Sequence, residues 1–411
     1  MAECKRYDNG LRLVVQRIDG LLSVTMGILV GAGASMETDE EDGISHFIEH
    51  MSFKGTKRFD ESQISNAFDE IGASQNAFTS KDMTCYYAKS ISEHTERAFE
   101  LLSDLFLHSV YPEDGVNRER SVILEEIAMN EDTPEDYCLD LLSEAYYGKR
   151  NYGRTILGPA ENVKNFTVDD ILAYRNALYT TNNVVISFAG DITLSEADEL
   201  VQKYVSDCIP HGKQERQTNI SLCGKHICKQ KQIEQVHMGI AYPSYERYHR
   251  NTDAAVILNS ALGGSMSSRL FQSVREKKGL AYNVYSYLSP YQEAGTLVIY
   301  AGVNAKNVDS ARDAIFDVVE QLKKEGITQE ELKRGKEQMK ASTIFAQEST
   351  SSQMLLYGKY MLYRDELYDI EQKMRDVNAV TMDNIRACLD DQFKTEHMAS
   401  AVLGKVRRTL L

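Results

Sequence analysis

The order of elements along the chain predicts an α+β protein of two homologous domains, each a mainly antiparallel β-sheet with helices packed on one face. Three observations carry this. Short aliphatic and β-branched runs bounded by glycine alternate with longer segments of helical periodicity. The same order of elements occurs twice. A polar, patternless stretch separates the two copies. A length of 411 residues suits more than one domain. The reading divides the chain into residues 1–208, a linker at 209–222 and residues 223–411.

In the first copy, Leu11–Val15 and Leu22–Val30 are strand-like runs. A helix containing His46 follows, then helical spacing over Glu61–Ile71, a strand pair near Asn76–Ala88 and a long helix over Glu96–His108. Glu119–Glu131 reads as a further helix. Thr133-Pro134-Glu135-Asp136 marks a helix start with a cap, a proline at the first position and acids in the first turn. Thr167-Val-Asp-Asp170 is a capping-box signal, and Asn183–Ala189 is an apolar strand stopped by Gly190-Asp191. Ile209–Ile220 is the linker candidate. The second copy runs Gln235–Tyr242 (strand), Asp253–Leu262 and Met266–Glu276 (helices), a strand pair within Ala281–Gly302, and a helix over Ser310–Lys324. A capping box at Thr328-Gln-Glu-Glu331 opens another helix.

Composition narrows the function. The 46 basic and 61 acidic side chains leave a net charge of −15, whereas nucleic-acid binders carry a basic face, so no nucleic-acid partner is expected. The uncharged stretch Gly20–Met36 has 17 residues broken by Gly, Ser and Thr, too short and polar to span a bilayer, and no membrane partner is expected. The N-terminus reads as lacking a signal peptide. Seven widely spaced cysteines, an odd number, fit reduced thiols and a cytoplasmic location. The acid run Glu37–Asp42 reads as a solvated loop. Gly263-Gly-Ser-Met-Ser-Ser lacks the spacing of a phosphate loop and reads as a turn into a helix. Cys223, His226 and Cys228 are three donors without a fourth, and ordinary thiols are the simpler reading.

The chemistry lies in Gly43-Ile-Ser-His46-Phe-Ile-Glu49-His50. Two histidines four apart on a helix share one face, so both imidazoles can hold one metal ion. Glu49 shares that face and can reach a water at the metal without being a ligand. This His-x-x-Glu-His order is the inverzincin signature. By itself the pattern also arises by chance as two surface histidines. A catalytic zinc needs a third protein ligand and an open position. On the helix through Glu119–Glu131, seven residues of about 100° each return Glu126 to within about 20° of Glu119, while Glu125 lies about 100° away. Glu126 is the candidate ligand and Glu119 its support; a solvated acidic face is the alternative.

Together these stretches resemble the pitrilysin and mitochondrial-processing-peptidase family of zinc metallopeptidases, and in particular its short bacterial homodimeric members. In that family a distant Glu completes the zinc site and another, seven residues earlier, supports catalysis; Glu126 lies 76 residues past His50 and seven past Glu119. Gly72-Ala-Ser-Gln-Asn76-Ala77-Phe-Thr79 resembles the family's substrate-holding edge strand. Arg275-Glu-Lys-Lys-Gly-Leu-Ala-Tyr282 resembles its substrate-gripping Arg and Tyr pair. The resemblance implies an endopeptidase with one Zn²⁺ per chain on His46, His50 and Glu126. Glu49 and Glu119 would be catalytic, and Asn76, Ala77, Arg275 and Tyr282 would bind an extended peptide or unfolded polypeptide. It also implies a homodimer enclosing a chamber, in which Arg275 and Tyr282 of one protomer serve the zinc of the other. A dedicated precursor-processing peptidase with a second subunit, and a non-catalytic subunit of the same fold, are the competing readings.

Overall fold

The computed structural model describes residues 2–212, 220–406 and 409. The elements in its first half are β1 (Glu3–Arg6), β2 (Arg12–Arg17), β3 (Ser23–Val30), α1 (Ile44–Ser52), α2 (Glu61–Asp69), β4 (Ser74–Thr79), β5 (Thr84–Ile91), α3 (Thr95–His108), α4 (Glu113–Asp132), α5 (Pro134–Tyr147), α6 (Ala160–Asn165), α7 (Val168–Leu178), β6 (Val184–Gly190) and α8 (Leu194–Tyr204). The second half continues with β7 (His226–Gln230), β8 (Gln235–Ser244), α9 (Thr252–Leu262), β9 (Ala281–Pro290), β10 (Gly295–Asn304), α10 (Val308–Glu325), α11 (Gln329–Ala346), α12 (Thr350–Arg364), α13 (Ile370–Ala379), α14 (Met382–Gln392) and β11 (Ala399–Gly404). The helix expected at 266–276 is instead a π-helical segment, Phe271–Lys277. The capping boxes form: Thr167 pairs with Asp170, and Thr328 and Glu331 bond reciprocally.

The strands form two sheets, ordered β1-β2-β6-β3-β5-β4 and β7-β11-β8-β10-β9. Each is antiparallel except at one pair, β2 with β6 and β7 with β11. Replacing β2, β6, β3, β5 and β4 by β7, β11, β8, β10 and β9 converts one order into the other, so the duplication is visible strand by strand. Alternation along the strands sets the two faces of each sheet. Val24, Met26 and Ile28 of β3 face a core that includes Phe99 of α3 and Phe188 of β6, whose rings lie 4.9 Å apart. Val236, Met238 and Ile240 of β8 face the equivalent core with α9, α10 and α14. Burying each such side chain contributes about 1.5–3 kcal/mol.

The other face of each sheet receives one helix from the opposite half of the sequence. The two units are residues 1–127, 155–217 and 344–369, and residues 128–154, 218–343 and 370–411. In the first, α12 lies on β2, β3 and β6. A Cβ on Gly27 would fall 2.3 Å from Met354 Sδ, and one on Gly358 2.8 Å from Leu29, so glycine on both surfaces permits the close approach. Thr25 and Thr350 join their hydroxyls at 2.7 Å. In the second, α5 lies on β8 and β11, with Leu142 against Gly239 and Cys138 Sγ donating to the Ala401 carbonyl at 3.8 Å. The units therefore depart from the sequential division at 208 and 223 by exchanging these two segments.

Of the linker at 209–222, residues 213–219 lie outside the described residues. Its start is packed, because Ile209 is buried in the first core and the Pro210 carbonyl accepts from Thr181 N–H at 3.1 Å. No helix among the described residues is long and apolar enough to cross a membrane.

Candidate active site

Helix α1 buries Ile44, Phe47, Ile48 and Met51 in the first core, which leaves His46, Glu49 and His50 on its partly exposed side. Its start is built from two directions. Gly43 has φ +99°, and a Cβ there would lie 2.7 Å from the Leu157 carbonyl oxygen, so only glycine fits. Glu37 is the acceptor for the open N–H groups: its carboxylate bonds Gly43 N–H at 2.7 Å and Ser45 N–H at 2.8 Å. Glu37 is buried, so the solvated-loop reading of 37–42 fails at its first residue. Burial pushes the Glu37 carboxyl up to about 8, and the bonds from Gly43 and Ser45 N–H oppose that.

Helix α4 presents the carboxylates as the sevenfold spacing requires. Glu126 Oε2 lies 3.8 Å from His46 Nε2 and 3.6 Å from His50 Nε2, and the two imidazole centroids are 4.5 Å apart. Glu125 points into solvent. His46, His50 and Glu126 offer ligand atoms within 4.8 Å of one another, the one such group of three His, Cys, Asp or Glu among the described residues. Bonds of about 2.1 Å in a tetrahedral zinc site put donors about 3.4 Å apart, so the separations fit with small shifts. His50 Nδ1 and Glu119 Oε2 are 3.0 Å apart. A carboxylate only accepts, so Nδ1 carries the proton and the Nε2 lone pair faces Glu126. Burial above all, with His50 close by, pushes the pKa of His46 down to about 3, which keeps it neutral and able to donate a lone pair.

Glu49 stands beside this group but is held by other partners. Thr79 of β4 donates its hydroxyl to Glu49 Oε2 at 2.6 Å. Burial pushes the Glu49 carboxyl up; the Thr79 bond and His50 oppose that, and the Glu126 charge adds to it. A carboxylate raised from its usual range beside a candidate metal suits a group that takes and returns a proton.

Asn76 and Ala77 are on β4, which among the described residues pairs only with β5 and so has an open edge; β4 also packs against α1. The Asn76 side chain accepts from the Ala77 N–H at 2.8 Å. Arg275 and Tyr282 belong to the second unit, where the Arg275 guanidinium sits over the Tyr282 ring at 5.4 Å and Tyr282 is 77% exposed. Cys223, His226 and Cys228 do not gather as donors: His226 Nδ1 meets Ser400 Oγ at 2.9 Å, and Cys228 Sγ meets the Val406 carbonyl. Glu37, Thr79 and Lys54 are site residues that the sequence reading missed. Lys54, just past α1, bonds Glu119 Oε1 at 2.8 Å and Glu61 Oε1 at 2.6 Å. The signals that could have drawn attention to them are the nearness of Glu37 and Lys54 to the histidine motif and the place of Thr79 at the end of the edge strand.

Comparison with known proteins places this geometry among peptidases. Residues 13–160 match the model described as insulinase (peptidase family M16), and residues 165–339 match the one described as peptidase M16 inactive domain. An uncharacterized zinc protease of Bacillus subtilis is 40% identical over 402 residues, covering 97% of this chain and 98% of that protein. Another, from Streptomyces coelicolor, is 33% identical over 93% of this chain and 85% of that protein. The crystal structure of a peptidase M16 inactive domain from Pseudomonas fluorescens superposes with a TM-score of 0.92 at 22% identity, covering 99% and 98% of the two chains. A protease from Helicobacter pylori does so at 0.90 and 23%, covering 98% and 99%. These two likenesses concern the fold.

Proposed function

Since the chain belongs to the insulinase family of peptidases (peptidase family M16), we propose that it is a zinc-dependent endopeptidase cleaving peptides or short unfolded polypeptides. The observation that carries the reading is the convergence of His46 Nε2, His50 Nε2 and Glu126 Oε2, with the carboxylate of Glu49 beside them. Zinc, when bound, supplies Lewis acidity toward the scissile carbonyl and lowers the pKa of a water.

The rest is done by the chain. Glu49, oriented by Thr79, takes the proton of the attacking water and returns it to the departing amine. An extended substrate adds to the open edge of β4 through main-chain hydrogen bonds, which reads backbone more than side chains. To free the Ala77 N–H for substrate, the Asn76 carboxamide turns away from it. Pairing of two chains into a homodimer would enclose the reaction and let Arg275 and Tyr282 of one protomer hold the substrate carbonyl at the other's site. Seven unpaired thiols support a reducing, cytoplasmic setting.

Glu49→Gln tests the reading. It is expected to keep zinc and lose at least about 100-fold in peptide hydrolysis. Near-wild-type turnover by this variant would remove Glu49 from the reaction.

A further inference from the structure

Glu119 holds His50, and the way Glu119 is itself held goes beyond the ligand set. Its carboxylate is 7% exposed and divided between two partners, with Oε2 on His50 Nδ1 at 3.0 Å and Oε1 on Lys54 Nζ at 2.8 Å. Lys54 is also largely covered, at 18%, and its ammonium makes a second bond to Glu61 Oε1 at 2.6 Å. Its backbone is fixed at the exit of α1, where Lys54 N–H bonds the Met51 carbonyl at 3.2 Å. Glu61 opens α2, whose start is set by a reciprocal capping box between Asp60 and Gln63. A chain of polar contacts therefore runs from α2 through Lys54 and Glu119 of α4 to the imidazole of His50.

We propose that Lys54 is a positioning residue for the metal centre: clamped by Glu61, it fixes the Glu119 carboxylate so that it holds His50 Nδ1–H and keeps His50 Nε2 aimed at Glu126. The inference rests on the zinc reading above. An exposed Lys–Glu pair would contribute almost nothing. Here Lys54 and Glu119 are both mostly buried, while Glu61 is half exposed and serves to hold Lys54; removing Lys54 takes the buried Glu119 carboxylate's cationic partner away, so that carboxylate must find another partner or move. Supporting residues of this kind set metal affinity as well as rate.

Zinc affinity of the full chain, measured by competition with a chromophoric chelator, is the readout. Lys54→Met is expected to weaken zinc binding about 10–100-fold, and Lys54→Arg to recover most of the loss. The double variant Lys54→Met/Glu119→Gln is expected to bind zinc as Glu119→Gln alone does, because Lys54 acts through Glu119. Should Lys54→Met not fold, Lys54→Gln, which keeps a polar group beside Glu119, supplies the single-variant factor, and Lys54→Gln/Glu119→Gln is compared with Glu119→Gln in the same way. Wild-type affinity in Lys54→Met, or a double variant weaker than Glu119→Gln by the full Lys54→Met factor, overturns the proposal and leaves the zinc site standing. A wild-type chain that binds no zinc overturns both.

Discussion

Thr79→Val removes a single hydroxyl from the first unit and leaves its shape almost unchanged. The bond lost is the one of 2.6 Å to Glu49 Oε2. Hydrogen bonds to charged groups are worth about 1.5–3 kcal/mol. If that much orientation is lost from the proton transfer, kcat falls about 10- to 150-fold, at about 1.4 kcal/mol per decade. Two further readouts separate this from general damage. Thr79→Ser restores the hydroxyl and most of the rate. The pH profile also moves in a defined direction. Burial raises the Glu49 carboxyl and the Thr79 bond opposes it, so losing that bond raises it further. The base acts when ionised, so the acid limb of kcat/KM shifts to higher pH. The assay is kcat and KM on an internally quenched peptide, with zinc content measured on the same sample. A Thr79→Val enzyme with unchanged kcat and an unmoved acid limb refutes the role of Thr79.

Glu126→Gln removes a proposed ligand and should weaken zinc binding by more than the about 10–100-fold expected of a supporting residue, whereas Glu125→Gln, in solvent, should bind as the wild type does. Equal losses in the two variants would mean that the carboxylate stripe acts only through its charge. Mixing Glu49→Gln protomers with Tyr282→Phe protomers should restore part of the hydrolysis lost by each alone. Mixed dimers that stay inactive would show that Tyr282 does not act across protomers.

The duplicated order of strands was legible because both copies set aliphatic and β-branched runs between segments of helical periodicity in the same order, and the strand-by-strand correspondence of the two sheets extends it. The pairing of Glu126 with the two histidines was legible for a different reason: helical geometry alone puts residues 119 and 126 on one stripe. The exchange of α5 and α12 between the units was not. Their sheet-facing surfaces look like any amphipathic stripe, and the glycines that admit α12, at 27 and 358, lie far apart in sequence. Glu37 was misread because an acid within an acid run resembles its solvated neighbours until the N-terminus of α1 is seen above it. Thr79 and Lys54 were missed because their partners, Glu49 and Glu119, are brought to them by the packing of β4 on α1 and of α4 beside it.

Titrating the metal-free chain with zinc while following peptide hydrolysis tests the proposed centre most directly. Activity is expected to rise linearly, break at one zinc per chain and stay flat beyond it. Full hydrolysis without added metal, or no break at one equivalent, would contradict a centre built from His46, His50 and Glu126.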